Sequence, residues 1–349
     1  MILLQLIRIL ALSALSFGVS MLFAPLWLKV LKKLNFGKQI RNEGAPIYHS
    51  LHKKKEGTPT AGGVIVWLPV LVLVLAIWLL AKLFNGFFEY LNIVNRAQTY
   101  LPLAAFVGAA LLGLIDDILG VFRIGEKGGG LSVKIKVVFY TLISLVGALW
   151  FYFKLNWDIL HIPLIGNWQI GEWYILFFVF ILVASAFSAN ETDGLDGLLG
   201  GTMLTAFLSE GAVAFLIGKY DLTALIAMIA GSLLAFLWDN IYPAKYFGGD
   251  TLSMSLGISI GVIAVLTNTV FLLPFFVFIP FLESLSVIIQ VGSKKLRKKK
   301  VFLSSPIHHH FEAKGWPEPQ ITMRFWLVSW LMAALGLIIF FLDKFIGAF

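Results

Sequence analysis

Cysteine is absent from the 349-residue sequence, which excludes disulfides, thiolate metal sites and cysteine nucleophiles. Charge is scarce: 13% of residues are Asp, Glu, Lys or Arg, far below the roughly 25% of a soluble globular chain. No soluble domain, internal repeat or low-complexity tract stands out, so residues 1–349 read as one domain. Apolar residues fill the space that charge leaves. They make up 59% of the chain, and the mean hydropathy is +0.89. Ten apolar runs long enough to cross a hydrocarbon core of roughly 30 Å fall at 9–31, 60–83, 98–119, 132–153, 172–189, 195–217, 221–238, 249–268, 270–292 and 323–346. The expected fold is all-α, a polytopic membrane protein with ten transmembrane helices. The first run is too long for a signal sequence and reads as a retained helix.

The net charge of +8 matters through its placement, and no nucleic-acid partner is expected from it. Alternate gaps, at 32–59, 120–131, 190–194, 239–248 and 293–322, hold with their helix ends roughly 21 of the 27 Lys and Arg residues, against about 6 on the other side. By the positive-inside rule the first set is cytoplasmic and both termini are external. The polar features that could do chemistry share the cytoplasmic side. They are "LIDDILG" with Asp116 and Asp117, "NETDGLDG" with Asp193 and Asp196, "WDNIYPAKYFGGDT" with Asp239 and Asp250, and "SSPIHHHFEAKGWPEP" with His308, His309 and His310.

A single Asp at a helix end is often only a cap. Four acidic loops on one face, set among Lys53, Lys54, Lys55, Lys136 and Arg297, point instead to a bound metal together with phosphates, because unpaired carboxylates at the ends of apolar segments are expensive. Asp193 and Asp196 lie three apart, on one face if helical, although Asp-Gly pairs are also ordinary turn chemistry. Phe247 and two glycines precede Asp250, which suits base stacking beside a hard-cation ligand or, more simply, a turn into the next helix. Three consecutive histidines cannot all face one ion in regular structure, so phosphate contact or loop structure is expected rather than zinc. The basic run "KKLRKKK" at 294–300 reads as a juxtamembrane segment held by anionic membrane lipid.

These segments, with "HKKKEGTPTAGG", "FLESLSVIIQ" and "PIHHHFEAKGWPEPQITMRFW", stand in the order seen in the phospho-N-acetylmuramoyl-pentapeptide transferases, which the chain resembles from about residue 45 to 330. The resemblance implies a homodimer in the bacterial inner (cytoplasmic) membrane with a magnesium-dependent cleft facing the cytoplasm. It implies transfer of phospho-MurNAc-pentapeptide from UDP-MurNAc-pentapeptide to undecaprenyl phosphate, giving lipid I and UMP for peptidoglycan and hence cell-wall growth and division. Carried over by position, Asp116, Asp117, Asp250 and His308 are catalytic, with Asp250 a magnesium ligand and Asp117 a second candidate ligand. Lys55, Thr60, Lys136, Asn190, Asp193, Asp196, Asn240, Phe247, His309 and His310 are substrate-binding, with Phe247 stacking on uracil. His308 is expected to touch the donor diphosphate. The chain departs from the family pattern at Ala61, Gly120, Phe187, Asp239, Gly248 and Leu252.

Direct attack by the lipid phosphate is the favoured route, and a covalent aspartyl intermediate is the rival. Other functions in play are HexNAc-1-phosphate transfer for teichoic acid or O-antigen, an inactive homologue, and a secondary transporter. The transporter fits less well, because it would place its charges near the bilayer midplane.

Overall fold

The computed structural model describes residues 2–38, 55–95, 98–125, 129–347 and 349. Lys53, Lys54, Arg96 and Lys127 lie outside the described residues. The chain forms α1 (Ile2–Lys33), α2 (Val64–Leu83), α3 (Phe87–Leu91), α4 (Tyr100–Val121), α5 (Val133–Leu155), β1 (Ile159–Ile162), β2 (Gly166–Gln169), α6 (Trp173–Thr192), α7 (Leu198–Leu216), α8 (Tyr220–Asn240), α9 (Asp250–Thr267), α10 (Leu273–Phe276), α11 (Phe278–Arg297), α12 (Ile307–Ala313) and α13 (Glu318–Phe345). Among the described residues nine of these helices are long and apolar enough to cross a membrane: α1, α2, α4 to α9 and α13.

The segment expected as the ninth span, 270–292, differs. Asn268 turns left-handed at φ 58 and ends α9, and Pro274 begins the short α10. The rest of the segment falls in α11, which buries Glu283, Ser284, Ser286, Gln290 and Ser293 on one side and exposes Leu285, Ile288, Ile289 and Val291 on the other. It is an amphipathic helix rather than a uniformly apolar one, which leaves it outside the nine.

α9 is the axis of the bundle, since every residue from Thr251 to Thr267 is buried. Lipid supplies no hydrophobic drive between helices, so close packing must come from small residues. Gly113 of α4 lies against the backbone of Asp250 and Thr251, and Gly257 lies against Ser185 and Ala186 of α6. Hydrogen bonds tie α1 to α8: Ser16 Oγ donates to Met228 O at 2.8 Å and shares a 2.7 Å bond with Ser232, which also accepts from Ser20 at 2.8 Å. Each such bond contributes about 0.6–2 kcal/mol inside a membrane.

The ends of the bundle differ in kind. Near the start of α1, Arg8 pairs with Asp221 at 2.7 Å, and near the end of α13, Lys344 donates to Leu216 O at 2.8 Å. At the same end the β1–β2 hairpin is latched to α13, His161 Nε2 lying 2.5 Å from Asp343 Oδ2 and Leu164 N–H donating to Oδ1 at 2.8 Å. The first and last helices therefore share one end, and the acidic loops gather at the other.

Candidate active site

At that other end five helix termini converge. α4 delivers Asp116 and Asp117 in its last turns, α5 delivers Lys136 in its first, α6 carries Asn190 in its last turn, α8 ends on Asn240, and α9 begins with Asp250. Asp117 fixes the register. Its Oδ1 accepts the Asp250 N–H at 2.9 Å and its Oδ2 the Thr251 N–H at 3.1 Å. A carboxylate from another helix thus caps α9, where its own N-cap position, Gly249, offers no side chain. Gly249 is required here: its φ is 74, and a Cβ would collide with the Asp117 carboxylate.

Lys136 stands between two acids. Its ammonium is 2.6 Å from Asp116 Oδ2 and also pairs with Asp250. Asn190 Nδ2 donates to Asp250 Oδ1 at 2.9 Å and to Ser253 Oγ at 3.1 Å. The remaining Asp116 oxygen accepts the Leu131 N–H, so the loop before α5 is pinned to α4. Among the described residues no group of three or more His, Asp or Glu forms a ready metal cage. What stands there is a pair of carboxylates, Asp116 and Asp250, sharing one ammonium. A hard cation that takes one or two carboxylates and fills its remaining positions with water and phosphate suits such an oxygen pair.

A second charged group flanks the first. Lys55 Nζ is 2.6 Å from Asp196 Oδ1 and 2.5 Å from Glu318 Oε1, and it lies 5.8 Å from the Phe247 ring centroid. Lys38 is over the same ring at 5.2 Å. Phe247 is held by backbone pairing, its N–H donating to Pro59 O at 2.8 Å and its carbonyl accepting from Gly62 at 2.8 Å. Thr60 is buried in that wall. Asn240 joins the turn to the ring: its Oδ1 accepts from Gly197 at 3.1 Å and its Nδ2 donates to Tyr246 O at 2.9 Å. Burial pushes the Asp193 carboxyl up to about 6, with Lys38 working against the rise and Asp250 adding to it.

The three histidines separate. His308 is fully buried, beside Glu283 of α11. His309 Nδ1 is 2.6 Å from Glu312 Oε2, one helical turn on. His310 Nδ1 accepts the Leu303 N–H at 3.1 Å, and burial, with Lys314 nearby, lowers its pKa. His308, expected to touch the donor diphosphate, is thus enclosed, its ring against Gly194 of the 191–196 turn. Asp239, one of the departures from the family pattern, pairs with Lys245 at 2.6 Å.

Two acidic residues complete the arrangement without having been singled out from sequence. Glu318 appeared only as a letter of "GWPEP", yet it holds Lys55 and accepts the Asp196 N–H at 2.7 Å. Glu283 did carry a signal, since an ionisable residue inside an apolar run is a functional candidate by default.

A model of the family described as glycosyl transferase family 4 matches residues 99–268. The phospho-N-acetylmuramoyl-pentapeptide-transferase of Anoxybacillus flavithermus is 38% identical over 328 residues, covering 94% of this chain and 96% of that protein. The protein of the same name from Geobacillus thermodenitrificans is 38% identical over 331 residues, 93% and 96% of the two chains. That from Clostridium novyi is 35% identical over 324 residues, 92% and 93%.

Proposed function

The chain belongs to the phospho-N-acetylmuramoyl-pentapeptide-transferase family, and on that premise we propose that it transfers phospho-MurNAc-pentapeptide from UDP-MurNAc-pentapeptide to undecaprenyl phosphate. The products are lipid I and UMP, in peptidoglycan biosynthesis. The observation that carries the reading is the Asp116–Lys136–Asp250 group where the five helix ends meet, flanked by Lys55 against Phe247. Two anionic substrates repel each other, and phosphoryl transfer is catalysed mainly by positioning and charge neutralisation. An ammonium already shared by two carboxylates can turn to phosphate oxygens once a cation takes its place.

One oxygen of the acceptor phosphate bonds to the sugar-linked phosphorus, the bridging P–O bond breaks, and UMP leaves with the electron pair. The acceptor needs little help from a base, because a phosphate monoester with a second pKa of about 6 is largely dianionic at neutral pH. Lys136 and Lys55 hold the phosphates, Phe247 stacks on the uracil, and Asp193, Asp196 and Asn240 shape the nucleotide side. Asp250 and Asp116 would hold magnesium, with Asp117 beside them already accepting two backbone N–H groups. Bound there, magnesium would supply charge neutralisation between the two substrates. By the positive-inside rule the cleft faces the cytoplasm, in the bacterial inner membrane, with both termini external; the α10–α11 return completes the even number of crossings this needs. A homodimer accompanies this reading.

Purified protein given UDP-MurNAc-pentapeptide, undecaprenyl phosphate and magnesium should release UMP and form a lipid-linked product, and chelation should stop it. Turnover of UDP-GlcNAc in place of the muramoyl donor would transfer the assignment to hexosamine-1-phosphate chemistry.

A further inference from the structure

Behind the acidic turn at 191–196 lies a buried pair that the transfer chemistry above leaves unused. Glu283 and His308 are both 0% exposed. His308 Nδ1 is 3.0 Å from Glu283 Oε2, and the His308 backbone N–H approaches the same oxygen at 3.4 Å. Glu283 Oε1 and His308 Nε2 have no hydrogen-bond partner among the described residues. A neutral imidazole would leave Glu283 a lone buried carboxylate, a state that is strongly destabilising. Burial opposes the charged imidazolium, but the Glu283 carboxylate, joined by Glu312 and Glu191, more than offsets it and raises the His308 pKa. Those groups, with the His309 ring 4.0 Å away, are the titratable neighbours presented by α11, α12 and α6.

The far side of the imidazole ring meets the acidic turn. His308 Nε2 packs on Gly194, where any Cβ would collide with it. Glu191, Asp193 and Asp196 all belong to that turn. Asp196 of the turn is paired with Lys55 and Asp193 feels Lys38, and a cation beneath Gly194 adds to these two in offsetting the charge that would repel an anionic ligand.

Granting the donor cleft described above, we propose that Glu283 is a positioning residue that holds His308 as a buried cation under the 191–196 turn, and that this cation lets the turn accept an anionic nucleotide-sugar donor. Glu283 touches neither substrate and acts only through His308.

Glu283→Gln keeps the shape and removes the charge. His308 then loses its main counter-ion and gives up its proton at a lower pH. Donor binding should be near normal where the ring is still protonated and should fail as pH rises. We expect the KM for the UDP-sugar to stay within about twofold of the unsubstituted enzyme at pH 6 and to rise about tenfold at pH 8, equal to about 1.4 kcal/mol, with kcat changed less. Glu283→Asp, which retains the carboxylate, should keep the flat profile. Independently of turnover, ring-15N spectra of histidine-labelled protein, assigned with His308→Asn, should show an imidazolium at pH 8 in the unsubstituted protein and a neutral ring in Glu283→Gln. A pH-independent loss, an unchanged KM at both pH values, or a neutral His308 at pH 8 in the unsubstituted protein would overturn the proposal. Should Glu283→Gln not fold, the unsubstituted spectrum and the Glu283→Asp profile decide. If the unsubstituted protein transfers nothing from the muramoyl donor, the donor assignment fails, while the spectra still judge the buried pair.

Discussion

Asp193 shows how one residue carries both a structural cost and a functional charge. It ends α6 as the C-cap, where burial lifts its carboxyl from 3.8 to about 6, Lys38 opposing and Asp250 adding. A carboxyl raised on folding favours the folded state while protonated and loses that contribution as pH climbs through the folded value. Asp193→Asn should therefore raise the melting temperature in detergent clearly at pH 8, above the folded value, and little at pH 3, below the ordinary value of 3.8. An equal shift at both pH values would show that its charge is not the cost. Single residues were also where sequence reading was weakest. The motif "NETDGLDG" marked Asp193 and Asp196 as a pair, yet Asp196 turns to Lys55 and Ala244 N–H while Asp193 stays with Lys38 and Gly249. Spacing cannot encode this, because the turn between them is not a helix.

At the scale of the element, α9 depends on a neighbour for its start. Its first two free N–H groups are satisfied by Asp117 of α4, so the acidic pair of "LIDDILG" divides its work. Asp116 faces Lys136, and Asp117 caps a helix. Asp117→Ala would leave two buried donors without an acceptor, at about 1–3 kcal/mol for each buried group left unsatisfied. Thermal unfolding in detergent should show that loss alongside any loss of transfer; full activity loss with an unchanged melting temperature would confine Asp117 to chemistry. The same scale explains the difference at 270–292. The apolar letters were legible, but whether Glu283, Gln290 and Ser293 face a protein wall or lipid depends on the rotation of α11, which local hydropathy does not report.

For the whole molecule the ordering of ends is the property most open to test. His161 with Asp343, and Arg8 with Asp221, lie at one end, while the Asp116–Lys136–Asp250 group lies at the other. Cysteines placed at Ser304 and Asn156 in this cysteine-free chain should react with an impermeant thiol reagent from opposite faces of the membrane, Ser304 from the cytoplasmic face. Labelling of both from one face would refute the proposed orientation.

The sequence by itself determined the membrane class, the approximate helix positions, the gathering of acidic and basic loops at one end, and the family. These follow from composition and periodic burial, and a lipid solvent enforces both strongly, because unsatisfied backbone and charge have no water to turn to. Only the tertiary structure decided which acid meets which base. Glu318 holds Lys55, Asp117 holds the α9 backbone, and Glu283 lies behind His308. Such pairings join residues 25 to 263 positions apart, and they are set by how the helices pack through Gly113, Gly249 and Gly194. Close approach at these glycines is a property of two surfaces meeting, and neither surface states it alone.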